Sequence, residues 1–174
     1  MRPIPYCPKS LDEPAELVAA IKARRGGELL ELDRMLLHSP NYADGWNTFL
    51  AKVRSELTVS SKLAELAICY VAVLNHASYE LEQHSPLFLA AGGLPEQLSA
   101  LTAEPLDQSI FSDSEQAVLQ LTVEMTRSIE VTTETMAAAK RALASDQQVV
   151  EIVGVIAAYN MVSRFLVALH VEAE

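Results

Sequence analysis

The chain has very little cysteine: Cys7 and Cys69 are the two in 174 residues. Two cysteines so far apart in sequence cannot build a network of disulfides or a zinc site of four thiolates. A Cys-x-x-Cys motif is missing as well, and with it the dithiol pair on which thiol redox enzymes depend. Cysteine-based redox chemistry therefore has a weak basis in this sequence.

Positive charge is also scarce. Lys and Arg together number 13 against 23 Asp and Glu, which gives a net charge of -10. This balance repels nucleic-acid phosphates, so we expect no nucleic-acid partner. Hydrophobic residues make up 50% of the chain, a high share for a single globular domain. We therefore expect a homo-oligomer in which copies cover part of this apolar surface.

Long uninterrupted hydrophobic runs are absent too. The first residues, MRPIPYCPKS, lack the apolar segment of a signal peptide. Residues 63–74 and 149–169 are apolar, but Glu65 interrupts the first run and Arg164 the second. A membrane-spanning helix needs roughly 20 clean apolar residues. We therefore expect two buried core helices, no membrane partner and a cytoplasmic location.

Strand signals are missing, because no sustained alternation of apolar and polar residues is bounded by Asn-Gly or Asp-Gly turns. After Pro105 there is no further proline, and Gly154 is the only glycine beyond it. These features predict an all-α fold. We expect an N-terminal tail over residues 1–9 and a single helical domain over 10–174.

Local signals predict nine helices. A capping-box pattern at Ser10–Glu13 favours the start of the first helix, and Trp46 and Phe49 are expected to anchor the third in the core. Residues 62–75 and 148–160 resemble each other, since both are apolar almost all round with one Glu in the first turn. Two such helices would pack together at the centre of a bundle.

Glu65 is the first candidate functional residue. Every other residue from Leu63 to Leu74 is apolar or tyrosine, and a helix that is apolar on all sides is normally buried. A buried carboxylate without a partner is costly, so a functional pairing is one interpretation. The alternative is an exposed first turn near Lys62, where Glu65 merely complements the helix dipole.

Glu80 and His84 form the second candidate. They are four residues apart and share one helix face. A carboxylate in this place can fix the histidine tautomer and make an acid/base pair, with Tyr79 close by. The alternative is a solvated helix start with ordinary ion pairing. The spacing would also suit two metal ligands, but nothing indicates a third, so we expect no metal and no cofactor.

Three polar residues, Tyr159, Asn160 and Arg164, interrupt the last apolar helix. An arginine in such a helix needs a carboxylate, and Glu65 or Glu151 could supply one. We interpret the three residues as a structural or interface element, with the lining of a pocket as the alternative.

These candidates together resemble a known family. Glu65, Ala77, Glu80 and His84 have the spacing of the Glu-x11-Cys-x-x-Cys-x3-His motif of alkylhydroperoxidases in the AhpD-like / carboxymuconolactone decarboxylase superfamily. Alanine and glutamate stand at the two cysteine positions. The segments SSKLAELAICYVAVLN, QHSPLFLAAGGLPEQL and YNMVSRFLVAL are also similar, so the resemblance covers about residues 40–170. The last two segments are typical of a branch without cysteines.

The resemblance implies an all-helical fold that assembles as dimers, trimers or hexamers. In the peroxidase members, Glu and His relay a proton to the two thiols. Ala77 and Glu80 carry no thiol, which excludes that reaction here. The decarboxylase branch needs no cysteine and acts on a small lactone acid, whose carboxylate would need a cation. Arg164 and His84 are the visible candidates for that cation.

Three functions remain open at this point. The first is an acid/base enzyme on a small carboxylated or lactone-type metabolite, with His84 as proton shuttle, Glu65 as its partner and Glu80 as second acid/base. Tyr79 and Arg164 would then bind the substrate. The second is weak peroxidase activity through Cys69, although its apolar setting blunts thiol reactivity. The third is a non-catalytic ligand-binding or scaffold protein, which a sealed cluster without a cavity would favour.

Overall fold

The computed structural model describes residues 3–172, and within them the secondary structure is entirely helical. The all-α prediction is confirmed. The helices are α1 (Ala15–Arg25), α2 (Glu31–Leu36), α3 (Pro40–Ser55), α4 (Ser61–Leu74), α5 (Ser78–Ala90), α6 (Pro95–Leu101), α7 (Asp113–Arg127), α8 (Thr133–Ala142) and α9 (Asp146–Leu169), with a short 3-10 turn at Gln108–Ile110.

Side-chain caps start four of the helices. Each capping oxygen accepts a hydrogen bond from the backbone N–H three residues on; the caps are Ser60, Ser112, Thr132 and Ser145. The first helix differs, because the chain stays extended through Pro14 and α1 begins at Ala15. Glu13 Oε2 accepts from the Ala15 N–H at 3.1 Å, so the predicted capping box at Ser10 is wrong.

Helix α4 is the centre of the fold and packs against α5, α7 and α9. Its residues from Leu66 to Ala72 are all buried. Helix α9 runs along α4 in the same direction: Glu151 near its start accepts the Thr58 N–H at 2.8 Å, and Asn160 accepts from Asn75 at 3.0 Å. The predicted pairing of the two similar apolar helices is confirmed.

Helix α9 is long and apolar enough to cross a membrane by length and composition alone, with a mean hydropathy of 1.8 over its most apolar 18 residues. Half of those residues are buried inside the fold. A helix at the centre of a bundle needs the same composition. The packing of α9 against α4 therefore accounts for its hydropathy.

The aromatic residues of α3 divide between core and surface. Trp46 is 5% exposed and packs on Phe165, with ring centroids 5.2 Å apart. Phe49 is 47% exposed, so its predicted role as a core anchor is wrong. The buried stripe of α3 includes Trp46 and Leu50, and Phe49 lies about 100° around the helix from Leu50. The predicted homo-oligomer, which would cover such surface, stays a prediction.

The segment before α1 lies against α2. Arg34 Nε donates to the Cys7 carbonyl at 2.6 Å, and the Cys7 N–H donates back to the Arg34 carbonyl at 3.2 Å. The Arg34 guanidinium also lies over the Tyr6 ring, 5.1 Å from its centroid. Burial raises the pKa of the Cys7 thiol, so this thiol ionises less readily than an exposed cysteine.

Gly93 closes the turn after α5 against a buried aromatic ring. A Cβ added there would overlap the ring of Phe88, which is fully buried. We expect Gly93→Ala to lower the free energy of unfolding by roughly 1–3 kcal/mol, as overpacking does. Urea denaturation measures this, with Gly45→Ala on α3 as the control, because a Cβ at Gly45 meets nothing within 4 Å. Equal urea midpoints for the two variants would contradict this packing.

Candidate functional site

Glu65 and His84 meet between α4 and α5. His84 Nδ1 lies 2.7 Å from Glu65 Oε2. The imidazole is buried, and the Glu65 side chain is 16% exposed. A reversal at His76, in the left-handed region at φ 56, turns the chain between the two helices and brings the start of α4 opposite α5. Lys62, the alternative partner of Glu65, instead binds Glu115 at 2.7 Å.

The surroundings favour a neutral His84. Burial lowers the pKa of His84 below its ordinary 6.5; the hydrogen bond and charge of Glu65 oppose this, and the charges of Arg54 and Arg25 add to it. A neutral imidazole that donates Nδ1–H to Glu65 keeps a lone pair on Nε2. That nitrogen can therefore accept a proton.

Glu80 is one helical turn before His84 and is almost completely buried. Ser163 donates to its Oε1 at 3.0 Å, while its Oε2 has no hydrogen-bond partner within residues 3–172. Burial raises the pKa of Glu80 well above 4.5, although the Ser163 hydrogen bond and the Arg54 charge oppose the shift. Glu80 is thus a carboxylic acid that keeps its proton into a higher pH range than an exposed glutamate.

Tyr159 and Arg54 complete the cluster. The Tyr159 ring meets the His84 ring edge-on at 4.9 Å between centroids. Arg54 is a solvent-exposed residue at the end of α3, yet its Nε donates to the Tyr159 hydroxyl at 2.8 Å and its Nη2 lies 3.4 Å from His84 Nε2. Burial raises the pKa of Tyr159 to about 12, so Tyr159 remains a phenol.

A cavity of about 80 Å³, here called cavity I, opens beside these groups. Its lining combines the acid/base residues, two arginines and apolar side chains, and includes Arg25, Arg54, Tyr79, Glu80, His84 and Leu87. The cluster is therefore not sealed in the core. The structure brings four of the predicted site residues together here. Tyr79, Glu80 and His84 line the cavity, and Glu65 contacts His84.

Asp33 holds Arg25 in place at the edge of cavity I. The Arg25 Nε and Nη2 lie 3.0 and 3.1 Å from the two carboxylate oxygens of Asp33, which is 1% exposed. The Nη2 contact is a hydrogen bond and the Nε contact is an ion pair, so Asp33 holds the guanidinium by one hydrogen bond and by charge. No local sequence signal marks Arg25 or Arg54 as site residues, because the basic end of α1 also serves as an ordinary helix C-terminus.

Arg164, predicted to bind the substrate, lies outside this cavity. It is exposed, and its Nη1 donates to the Asn160 carbonyl and to Asn160 Oδ1 at 3.0 and 2.8 Å. The predicted pairing of Arg164 with Glu65 or Glu151 is wrong. Successive helical residues point about 100° apart, so Tyr159 reaches the cluster while Asn160 and Arg164 lie on another side of α9.

Cys69 is close to the cluster but is a poor nucleophile. It is fully buried, and burial raises the pKa of its thiol to about 12, with the negative charges of Glu65 and Glu80 adding to the shift. The thiolate is the reactive form, and it is scarce at neutral pH. Both Cys7 and Cys69 are free thiols, and the Cys7 backbone is bound to Arg34 of α2. The geometry therefore disfavours peroxidase chemistry through Cys69.

Among residues 3–172, no three side chains of His, Cys, Asp or Glu lie close enough to hold a metal ion. The Glu80–His84 spacing does not make two ligands for one metal, because His84 Nδ1 contacts Glu65 and Glu80 Oε1 contacts Ser163. The polar groups of cavity I instead form hydrogen bonds suited to moving protons.

Comparison with known proteins identifies the fold. No family model and no curated protein matches the sequence. An uncharacterised peroxidase-related protein from Silicibacter sp. TM1040 superposes with a TM-score of 0.81 at 16% identity, covering 99% of this chain and 90% of that one. A peroxidase-related protein from Ralstonia eutropha JMP134, described as an alkylhydroperoxidase AhpD core, gives 0.82 at 12% identity, with 99% and 92% covered.

A third similar structure is the debrominase Bmp8 in complex with 2,3,4-tribromopyrrole. Its TM-score is 0.78 at 15% identity, covering 100% of this chain and 93% of that one. The chain therefore has the AhpD-like fold, and the resemblance seen in the sequence is confirmed at the level of the fold.

Proposed function

We propose that this protein is an acid/base enzyme of the AhpD-like, carboxymuconolactone decarboxylase-like type, which acts on a small carboxylated or lactone-type metabolite without thiol chemistry. The observation that supports the proposal is the 2.7 Å contact between Glu65 and His84, next to a buried Glu80 that lines the same cavity as His84. A non-catalytic scaffold would have no reason to bury these titratable groups, since their burial costs free energy.

The environments of the two groups in cavity I push their pKa values in opposite directions. That of His84 is lowered and that of Glu80 is raised, in both cases chiefly by burial. Opposite shifts of neighbouring groups assign a base and an acid. In proton exchange at a carbon next to a carbonyl, His84 Nε2 takes a proton from the substrate, Glu65 stabilises the imidazolium that forms, and Glu80 gives a proton back. Solvent then takes the proton from His84 and returns one to Glu80.

The substrate class follows from the cations and the apolar lining. Arg25 and Arg54 both line cavity I, and since Arg25 is already paired with Asp33, Arg54 is the guanidinium left for a substrate carboxylate. In a decarboxylation, the bond to the carboxyl carbon breaks, its electron pair stays on a substrate carbon conjugated to a carbonyl, and CO2 leaves. The proton of Glu80 then forms the new C–H bond, and solvent restores the acid.

Deuterium incorporation tests the proposal across the whole class of candidate substrates. Small carboxylic acids and lactones are incubated with the protein in D2O, and NMR follows exchange at the carbon next to the carbonyl, together with CO2 release. We expect at least one compound to exchange or decarboxylate faster than in buffer. The panel includes acids and lactones with and without a carboxylate and with apolar groups of different size. If none of them reacts, the proposal is wrong.

Peroxide consumption separates the proposal from thiol chemistry. We expect the wild type and Cys69→Ala to consume alkyl hydroperoxide at the same rate, which equals the background, because burial raises the pKa of the Cys69 thiol to about 12. A dithiol reductant and excess hydroperoxide are supplied in the assay. A wild-type rate well above background that disappears in Cys69→Ala would favour the peroxidase instead.

The pH dependence of kcat/KM should be bell-shaped. The base must be neutral, so activity rises as pH increases through the pKa of His84, which is lowered below 6.5. The acid must be protonated, so activity falls as pH increases through the pKa of Glu80, which is raised well above 4.5. These limbs report groups of the free enzyme. An acidic limb above pH 7 would contradict the assignment of His84 as a buried neutral base.

A further inference from the structure

A second cavity adjoins the cluster and is here called cavity II. Its volume is about 270 Å³, and its lining includes Glu65, Arg54, Leu57, Val59, Ile68 and Leu87. Ser55 and Ser61 also line it, so its walls combine apolar side chains with polar and charged ones. Glu65 lines cavity II and His84 lines cavity I, so the Glu65–His84 contact bridges the two spaces.

Arg54 and Leu87 line both cavities and therefore divide them. Both are exposed residues, with Leu87 at 48%, but the Arg54 guanidinium itself contacts Tyr159 and His84, so a movement of Arg54 begins by breaking one of these contacts. Binding sites for small organic ligands measure roughly 300–1,000 Å³. Neither cavity alone reaches that range, whereas the two joined would.

We propose that cavities I and II are the two ends of one site for a small organic carboxylate, and that Arg54 closes this site until the carboxylate draws its guanidinium away from His84. This inference names the substrate class of the proposed function and rests on it for its catalytic meaning. The remainder of the ligand would lie in cavity II, beside Ile68 and Leu87. The carboxylate would lie at the boundary, on Arg54.

The hydrogen bonds of Arg54 suit such a movement. Its Nη2 contact with His84 Nε2 is long, at 3.4 Å, whereas its Nε bond to Tyr159 is 2.8 Å. A guanidinium binds a carboxylate through two parallel N–H groups, which a single long contact to an imidazole cannot match. Release of Nη2 uncovers the lone pair on Nε2, so the base becomes available when a carboxylate is bound.

The charges around His84 define a signal for this event. Glu65 on α4, Arg54 on α3, Arg25 on α1 and Glu80 on α5 surround the imidazole, with the Tyr159 phenol on α9. Neutralising Arg54 removes one nearby positive charge and one donor to Nε2. Both changes make protonation of His84 easier.

NMR of protein labelled with 15N-histidine detects this change. The probe is benzoate, and benzamide is its uncharged control; the His84 signal is assigned from its absence in His84→Asn. We expect benzoate to shift the Nε2 resonance of His84 and to move its titration to higher pH, while benzamide does neither. Measurements on the wild-type protein are enough to refute the inference: it is wrong if benzoate has no effect on His84 or if benzamide has the same effect.

Two variants locate the carboxylate. Arg54→Gln should raise the pH at which His84 titrates in the free protein and weaken benzoate binding at least about tenfold, since a charged hydrogen-bond partner is lost. Arg141→Gln, which removes an exposed arginine of α8 that lines neither cavity, should behave as the wild type. Equal benzoate affinity in Arg54→Gln and the wild type would refute the role of Arg54.

The outcomes separate this inference from the proposed function. If benzoate shifts His84 through Arg54 but no acid or lactone reacts in D2O, the binding site stands and the proposed activity fails. The opposite outcome is that acids react in D2O, but neither benzoate nor the reacting acid shifts the His84 signal or its titration in the inactive Glu80→Gln variant. The proposed activity then stands and the role of Arg54 fails.

Discussion

Replacing His84 with Asn is expected to lower kcat/KM on any accepted substrate by roughly 10²–10⁴-fold, the range that a positioned acid/base group contributes. Asparagine can still donate a hydrogen bond to Glu65 but cannot take a proton. Glu65→Gln should also reduce the rate, because the amide lacks the negative charge that stabilises the imidazolium 2.7 Å away. Initial rates at several substrate concentrations measure both effects, and circular dichroism checks the helices.

Matched substitutions elsewhere serve as controls for these two variants. His170 ends α9 in the left-handed region at φ 52, a conformation that asparagine tolerates, and it lines neither cavity I nor cavity II, so His170→Asn should leave the rate unchanged. Glu82→Gln changes an exposed residue on α5 and should do the same. Turnover that persists unchanged in both Glu65→Gln and His84→Asn would rule out the pair as catalytic.

Glu80→Gln is expected to separate activity from stability. The amide has the shape of the neutral acid and can accept the Ser163 hydrogen bond, now 3.0 Å long, but it has no proton to give. We expect kcat to fall by roughly 10²–10⁴-fold. The chain should still fold, because burial disfavours the charged form of Glu80 and raises its pKa, and the amide introduces no charge.

The pH dependence of unfolding gives this variant a second readout. Since the folded-state pKa of Glu80 is raised above 4.5, the wild type is stabilised by its bound proton below pH 4.5. That contribution is lost as pH rises towards the folded-state pKa. Glu80→Gln lacks this loss, so its urea midpoint should exceed that of the wild type at pH 8 but not at pH 4. Glu82→Gln, exposed, should follow the wild type; a parallel response of both variants would contradict a buried neutral Glu80.

The fold could largely be read from local signals. Serine and threonine caps such as Ser60 and Ser145 satisfy the orphan N–H groups of a helix within three residues, so the information is contained in a few neighbours. The apolar character of α4 and α9 likewise implies mutual burial. The start of the first helix was predicted wrongly. The capping-box pattern at Ser10 is short, and the chain instead stays extended through Pro14 before α1 begins.

The part of the candidate site that lies on α4 and α5 could be predicted from the sequence. Glu65, Glu80 and His84 lie within 20 residues of sequence, and their spacing with Ala77 carries the family resemblance. Arg54 reaches the same place from α3, and an exposed arginine there resembles any other surface cation. Its role depends on where α3 docks, which is a property of tertiary packing.

The order in which the chain is made gives α9 a further importance. Ser163 and Tyr159, which hold Glu80 and Arg54 at 3.0 and 2.8 Å, are both on this last helix. Chains emerge from the ribosome N-terminus first, so every other residue of the cluster is synthesised before these two. A nascent chain that still lacks α9 would have the other titratable residues of the cluster but not the contacts from Ser163 and Tyr159, so the acid/base site is completed only after α9 has been made.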